Sequence, residues 1–531
     1  METKIMEENN IQQNMGLEEM ARMKAEARQR EKEEAEKRDI KEFSVLGPVS
    51  IIYALIFVFC LYKNFSGTTS PIWAMMTVGY MVYVAKKLKK TWRAINTFIS
   101  AVIVMLGISN FVTGNEEIIF LNYVAIVCLI AADMMYLFFD MKKVNVTQHI
   151  LFLLRAALGV LVEMAAPFRQ MKLFLKSRKL KKTDNLVHII MGIVIAIPVF
   201  IVMLYILASA DEVFKEVFRD LGDLLSIDTF VGNFIGIAVM IIVGYTVPYA
   251  FTKYISGGKI SAQEGKSGEN EPIVAIIVAG VVSLLYVLFS VIQIIYLFLG
   301  KGTLPTDYSY AEYAREGFFQ LLFVSVFNVV MVLISIEFFK KSKVLKGILI
   351  VVCGCTFVMI ASSIYRMGMY ISEYGLTFTR VLVLWALAVI TLIMVGLVYQ
   401  LFREKFNLFR YSLVVVSVCF IAFSLSHVDY FIAKYDLNMY AEMKGLHEDD
   451  LYDGNNYVDY DYLMELSTDA APIMSEHMDE INQYIMEDNG WTLRDAQWTY
   501  QYYEEDGIKY NKITIRNFNV SRYIARLCMK K

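Results

Sequence analysis

The sequence predicts an all-α polytopic membrane protein, about 11 transmembrane helices plus a small, mainly helical extramembrane module at the C-terminus. Three observations predict it. The 531 residues are 57% hydrophobic with a mean hydropathy of +0.47, and the apolar residues come in unbroken blocks rather than stripes. Blocks of roughly 20 residues match the thickness of a bilayer core. They lack the period-2 alternation of a membrane barrel, which leaves helices as the structure that satisfies every backbone group in lipid. The loops between blocks alternate between rich and poor in Lys and Arg.

Residues 1–42 read as a charged cytosolic leader. Glu18 to Glu42 carries nine acidic and eight basic side chains with no Gly or Pro, a pattern of solvated helix held by i,i+4 pairs. Leu17, Met20, Met23 and Ile40 do not sustain a heptad. The leader is too long, polar and mixed in charge for a signal peptide. Residues 43–148 hold four spans, at about 45–62, 71–85, 95–113 and 118–139. Residues 187–428 hold seven more, at about 187–208, 230–251, 273–299, 318–338, 347–366, 378–401 and 409–428. Pro198 and Pro248 are positioned to interrupt two of these.

The stretch 149–186 is decided by charge. His149–Phe168 is apolar but interrupted by Arg155 and Glu163. If it does not span, the loops on one side hold 24 basic residues and those opposite hold 6; if it spans, the contrast becomes 12 against 18, the wrong way round. It therefore reads as an interfacial helix on the cytosolic face. The seven basic residues of 169–182 would then meet anionic lipid headgroups. The expected location is a bacterial cytoplasmic membrane, with the N-terminus cytosolic and the C-terminus extracytoplasmic.

The tail, residues 429–531, has 20 acidic and 10 basic residues, thirteen tyrosines and two tryptophans, and reads as a folded module. Ser467-Thr468-Asp469 is a helix start and Gly490 a helix stop. Lys509–Phe518 alternates and predicts a short strand.

Six cysteines, five of them inside apolar runs, argue against a disulfide framework; Cys353-Gly-Cys355 reads as small-residue helix packing. No zinc-protease, P-loop or dinucleotide fingerprint occurs, and the five histidines are scattered without metal-ligand spacing. The turn at 447–454 puts Leu451 and Tyr460 where a calcium loop needs oxygen ligands. No catalytic residue, metal or cofactor is expected, and the acidic tail does not suit nucleic acid.

Ionisable groups in or beside spans are the default candidates in a membrane protein. Asp133 and Asn328 mark a polar path. Glu337, at a span end, is expected to reach the headgroups. At the outer ends of spans, one shared depth collects Asp211, Arg315, Glu316, Arg366 and Arg380, with His427 and Asp429 beside them. Arg315 and Arg380 suit a carboxylate or phosphate through a bidentate fork, and the acids equally suit neutralising them.

Several motifs fall in order along the chain: Leu207–Phe214 (LASADEVF), Tyr313–Leu321 (YAREGFFQL), Tyr374-Gly-Leu-Thr377 with Arg380, Ala433–Leu437 (AKYDL), Leu466–Pro472 (LSTDAAP) and Asn519-Val-Ser-Arg522. From about residue 187 onward the chain resembles a bacterial multi-pass family, domain of unknown function 4173, and its relative 4153. The resemblance implies an inner-membrane protein and supplies no catalytic residues. The reading is an integral membrane protein that binds a ligand or partner at its outer face, as a sensor or assembly component. The alternatives are a secondary transporter, and a transferase acting on lipid or envelope precursors with Asp211 and Glu316 as its carboxylate pair.

Overall fold

The structure, a computed structural model, describes residues 2–139, 146–177, 227–257, 270–295, 310–403, 405–443, 460–477 and 514–528. The chain is all helical there: α1 Glu2–Leu61, α2 Thr69–Lys87, α3 Ala94–Val112, α4 Glu116–Phe138, α5 Val146–Glu163, α6 Ala166–Ser177, α7 Ile227–Ser256 and α8 Ile273–Gln293. Then follow α9 Tyr310–Phe338, α10 Lys343–Tyr374, α11 Phe378–Phe402, α12 Leu408–Ser424, α13 Val428–Met443, α14 Tyr460–Glu465, a 3-10 turn Thr468–Ala470, α15 Ala471–Glu476 and α16 Val520–Cys528.

Among the described residues nine helices are long and apolar enough to cross a membrane: the C-terminal part of α1, and α3, α4, α5, α7, α8, α9, α10 and α11. Counting α12 and α13, which meet at 58°, as one bent span makes ten. The protein is thus an all-α polytopic membrane protein. The predicted span 187–208 and Pro198 lie outside the described residues, as do the 447–454 turn and Gly490. The predicted span 71–85 is α2, which is not among the nine. Apolar side chains also face outward in quantity: on α8, Val281, Leu284, Leu285 and Leu288 are all more than half exposed. A face of that kind needs lipid, not water.

The chain divides into two compact units. The first holds residues 1–62, 82–89 and 156–259. Here α1 and α7 pack side by side, with Gly244 accepting the Phe57 ring and Gly236 that of Tyr62, whose hydroxyl donates to Asn233 Oδ1 at 2.8 Å. The leader is continuous with the first span in α1. Residues 26–38 of it are exposed on every side. Where α1 meets α6 and α7, a small network closes: Gln170 Nε2 donates to Asp39 and to Glu42 (3.0 Å), Lys253 Nζ donates to Asp39 at 3.0 Å, and Tyr249 donates to Gln170 Oε1. Phe43 sits against the Phe174 and Tyr249 rings. The face of α6 opposite buried Gln170 carries exposed Arg169, Lys172 and Lys176. Pro248 does not end α7, which continues through it as one helix.

The second unit holds 63–81, 90–155 and 260–531. Its core centres on α10: Leu345, Leu349, Val352, Cys353, Ile360, Met367 and Ile371 form one buried stripe at helical spacing. Ala275 and Ala279 on α8, Phe318 and Val332 on α9, and Leu387, Met394 and Leu397 on α11 pack onto it. Hydroxyls in the spans bond back one turn, as Ser325 does to Leu321 O and Thr356 to Val352 O. All six cysteines are free, and Cys353 and Cys355 are buried packing residues. Alongside, α3, α4 and α12 share a buried polar knot: Ser109 and Ser424 hydroxyls at 2.6 Å, Ser424 Oγ donating to Asn122 Oδ1, and Asn122 Nδ2 donating to Asn110 Oδ1.

Contacts within this unit sort the helix ends into two groups. At one end lie Arg93 before α3, the C-terminus of α4, the C-terminus of α9 and the start of α12. Arg93 donates to Tyr136 O and Phe139 O, and Glu337 accepts from the backbone N–H groups of Val146 (2.7 Å) and Thr147 (3.2 Å). Glu337 is therefore buried as the cap of α5, instead of reaching out to headgroups; the four unpaired N–H groups of a helix start make that the better partner. His149 stacks on Phe409 with centroids 3.9 Å apart. At the other end lie the α3–α4, α10–α11 and α12–α13 connections and the C-terminal segments.

Candidate functional site

The α3–α4 connection is three residues, Thr113-Gly114-Asn115, and they organise the second group of helix ends. Asn115 is the N-cap of α4: its Oδ1 accepts from Ile118 N at 2.8 Å, while its Nδ2 donates to both oxygens of Asp429, at 3.0 and 2.9 Å. Asp429 also accepts from Ser467 N at 3.0 Å. A second carboxylate, Asp469, accepts from Thr113 Oγ1 and from Gly114 N (2.9 Å), with His427 Nδ1 at 3.4 Å. Thr468 and Ser521 hydroxyls meet at 2.7 Å. Gly114 lies under them: a Cβ there would stand 2.0 Å from Thr468 Oγ1. Asn519 completes the junction, donating to Ser66 O (2.7 Å), Thr113 O (2.9 Å) and Asn110 O (3.3 Å), and accepting from Arg522 N as the N-cap of α16.

Two buried carboxylates thus share one small volume, with unequal electrostatics. Burial and the neighbouring Asp469 charge raise Asp429 above the ordinary carboxylate value, against the bonds from Ser467 and Asn115. Burial also acts to raise Asp469, but His427, Ser521, Thr113 and Gly114 together outweigh it and hold it below the ordinary value. The bond to Asp469 raises His427, against its own burial. His427 takes a left-handed conformation (φ 50°) at the bend between α12 and α13. Such a backbone costs about 1 kcal/mol or more in a non-glycine residue, offset here by the ion pair. Every oxygen of the two carboxylates has donors, and among the described residues no three His, Cys, Asp or Glu side chains are grouped to hold a metal. These bonds tie the α3–α4 loop to the start of α13 and to the C-terminal segments.

A few residues away, the α10–α11 connection is held by the same C-terminal segments. Asp436 Oδ1 accepts from Leu376 N at 2.7 Å, and Tyr462 OH accepts from Phe378 N at 2.7 Å. Gly375, at φ 71°, lets the carboxylate of Asp436 approach; a Cβ would stand 2.7 Å from it. Thr377 caps α11. Arg380, in the first turn of α11, donates to Tyr374 O at 2.7 Å and to Gly375 O, and its guanidinium lies 4.3 Å over the Tyr370 ring. Beside it is a cavity of roughly 250 Å³ lined by Phe318, Phe319, Met367, Tyr370, Thr377, Thr379, Arg380 and Val383.

The residues proposed from sequence have different fates. Arg380 lines this cavity. Arg366 is buried on α10, one helical turn before Tyr370. Arg315 and Glu316 fall on α9 just before Phe318, but their side chains lie outside the described residues, as does all of Asp211. Asp133 and Asn328 are not brought together: Asp133, on α4, accepts from Asn96 at 2.9 Å, and Asn328, on α9, donates to Thr356 at 3.0 Å. The strand expected over Lys509–Phe518 is not seen in its described part. Residues 514–517 make a turn closed by Asn517 Oδ1, which accepts from Thr514 N and Oγ1.

Sequence reasoning missed Thr113, Gly114 and Asn115. The AKYDL, LSTDAAP and NVSR motifs contain Asp436, Asp469 and Asn519 without showing what they bind, and a short loop with no basic residue gives no signal when loops are weighed by Lys and Arg. The motif Thr-Gly-Asn-Glu, a cap preceded by glycine, was the available clue.

No curated protein and no solved structure matches the chain. One protein family does, described as Domain of unknown function (DUF4153), over residues 100–477. The match is to this relative rather than to 4173, and it starts well before residue 187, taking in most of α3 and all of α4. That stretch supplies the loop that grips Asp429 and Asp469. With most of its length matched, the chain belongs to the DUF4153 family.

Proposed function

We propose that the protein sits in the cell membrane with its C-terminal module outside, and binds a ligand at the outer face, in the cavity beside Arg380, as a sensor or assembly component. One observation carries the reading: the turn that forms the cavity wall, residues 375–378, is held by Asp436 and Tyr462 of the C-terminal segments. A ligand that presses on Thr377 or Arg380 presses on the contacts that dock the module. That is the coupling a sensor needs: one element contacted by both sites. The likeness to domain of unknown function 4173 rests on the motifs alone and concerns the finer branch of the family.

The orientation draws support from how the helix ends group. The described connections counted as inside and those counted as outside lie at opposite ends of the second unit's helices, and the end bearing Arg93 and Arg410 is the basic one. The surface placement of α5 draws support from its ends. Its first two turns meet Glu337, Phe409 and Phe139. Gly159, further along, lies against Tyr254 in the last turns of α7, next to Lys253. Both sets of partners flank basic loops. Arg169, Lys172 and Lys176 on α6 then face anionic headgroups.

The test is native mass spectrometry of the purified full chain. Thr379→Trp fills the cavity while keeping the Arg380 side chain in the protein. The wild type should retain a co-purifying ligand that the variant loses. Equal adducts in both would remove the cavity as the site.

A further inference from the structure

We infer that the ligand of this cavity is an anionic amphiphile, an acyl chain bearing a phosphate headgroup. This rests on the cavity being the ligand site, and it names the chemistry. The walls are apolar and aromatic: Phe318, Phe319, Met367 and Val383, with Phe319 more than half exposed on the outside of α9. The cavity is thus continuous with the lipid-facing surface, where a chain can enter sideways. Among the described residues its charged lining group is one guanidinium. Arg380 is fixed before any ligand arrives, by Tyr374 O, Gly375 O and the Tyr370 ring. Preorganisation lowers the entropic cost of binding, and a guanidinium pairs with phosphate oxygens more strongly than a neutral donor does. Thr377 and Thr379 line the same cavity and add polar side chains to its lining. A neutral headgroup would bring the guanidinium no anion, a zwitterionic one would set a second cation beside it along with the phosphate, and a wholly soluble anion would leave the aromatic wall unfilled.

The experiment uses the full chain in detergent with a defined panel: phosphatidylglycerol, phosphatidylcholine and inorganic phosphate, read by thermal unfolding and by native mass spectrometry. Phosphatidylglycerol should raise the midpoint and add one bound lipid that survives washing, while phosphatidylcholine and phosphate should do neither. Arg380→Gln should weaken phosphatidylglycerol binding about tenfold or more. Arg380 also ties the α10–α11 turn, so that variant risks unfolding; Phe319→Trp narrows the cavity with Arg380 intact and should abolish the same adduct. Equal binding of phosphatidylcholine, or an effect of phosphate matching that of the lipid, would overturn the anionic amphiphile while leaving the cavity as a ligand site. A phosphatidylglycerol adduct indifferent to both variants would overturn this inference outright. An unrelated ligand displaced by Phe319→Trp would replace it.

Discussion

Asp469 and Asp429 show how two like residues take opposite parts. Asp469 faces His427, Thr113, Gly114 and Ser521, and its native value is lowered. Its contribution to stability is therefore present above the ordinary carboxylate range and lost as pH falls through the lowered value. His427 is raised by Asp469, so its contribution is present below the ordinary imidazole range and lost as pH rises through its raised value. Asp429, facing Asn115, Ser467 and Asp469, is raised mainly by burial; its contribution likewise is lost as pH rises. The junction should hold tightest in the acid range, near the ordinary carboxylate value, and loosen as pH rises through the raised values of Asp429 and then His427. Hydrogen exchange over 514–528 against pH checks this. His427→Asn, which tolerates the left-handed backbone, should flatten the alkaline limb; an unchanged limb would assign the effect elsewhere. Packing makes its own demand at Gly114. Gly114→Ala places a methyl on Thr468 and should cost about 1–3 kcal/mol, seen as a lower unfolding midpoint.

Caps and connections account for more of this fold than helix propensity does. Asn115 caps α4 and grips Asp429; Asn519 caps α16 and grips three carbonyls; Glu337 caps α5 from α9. Asn519→Ala would strip the donor from buried carbonyls of Ser66 and Thr113 and should release α16, at about 2–3 kcal/mol, read as faster proteolysis of the tail. The spans themselves were legible because bilayer thickness and apolar run length are one physical constraint. The caps were not: a side chain gripping a distant carboxylate leaves no local period, and Asp429 and Asn115 are 314 positions apart. Nor was the end of the tail, where alternation suggested a strand but Thr514 and Asn517 close a turn. For α5 the two readings differ in a measurable way. Cysteines at Gln148 and Ala165 should both be labelled in inside-out vesicles and neither in intact cells; one labelled from each side would make α5 a span.

Within the second unit, contacts sort the described helix ends into two groups. They bring Arg380 and its cavity, the Asp429–Asp469 junction and the C-terminal segments to ends that loop charge assigns to the outer face. Asp133 bonds Asn96 on α3, and Asn328 bonds Thr356 on α10. The central claim is that this face, with its docked module, looks out of the cell. The chain carries its own probe in Cys528, a partly exposed free thiol on α16. A membrane-impermeant maleimide applied to intact cells should label the wild type, and Cys528→Ala should remove that label. A cysteine placed at Ser177, beside the basic loop, should stay unlabelled until the cells are opened. Labelling at 177 with protection at 528 would invert the protein and contradict the account.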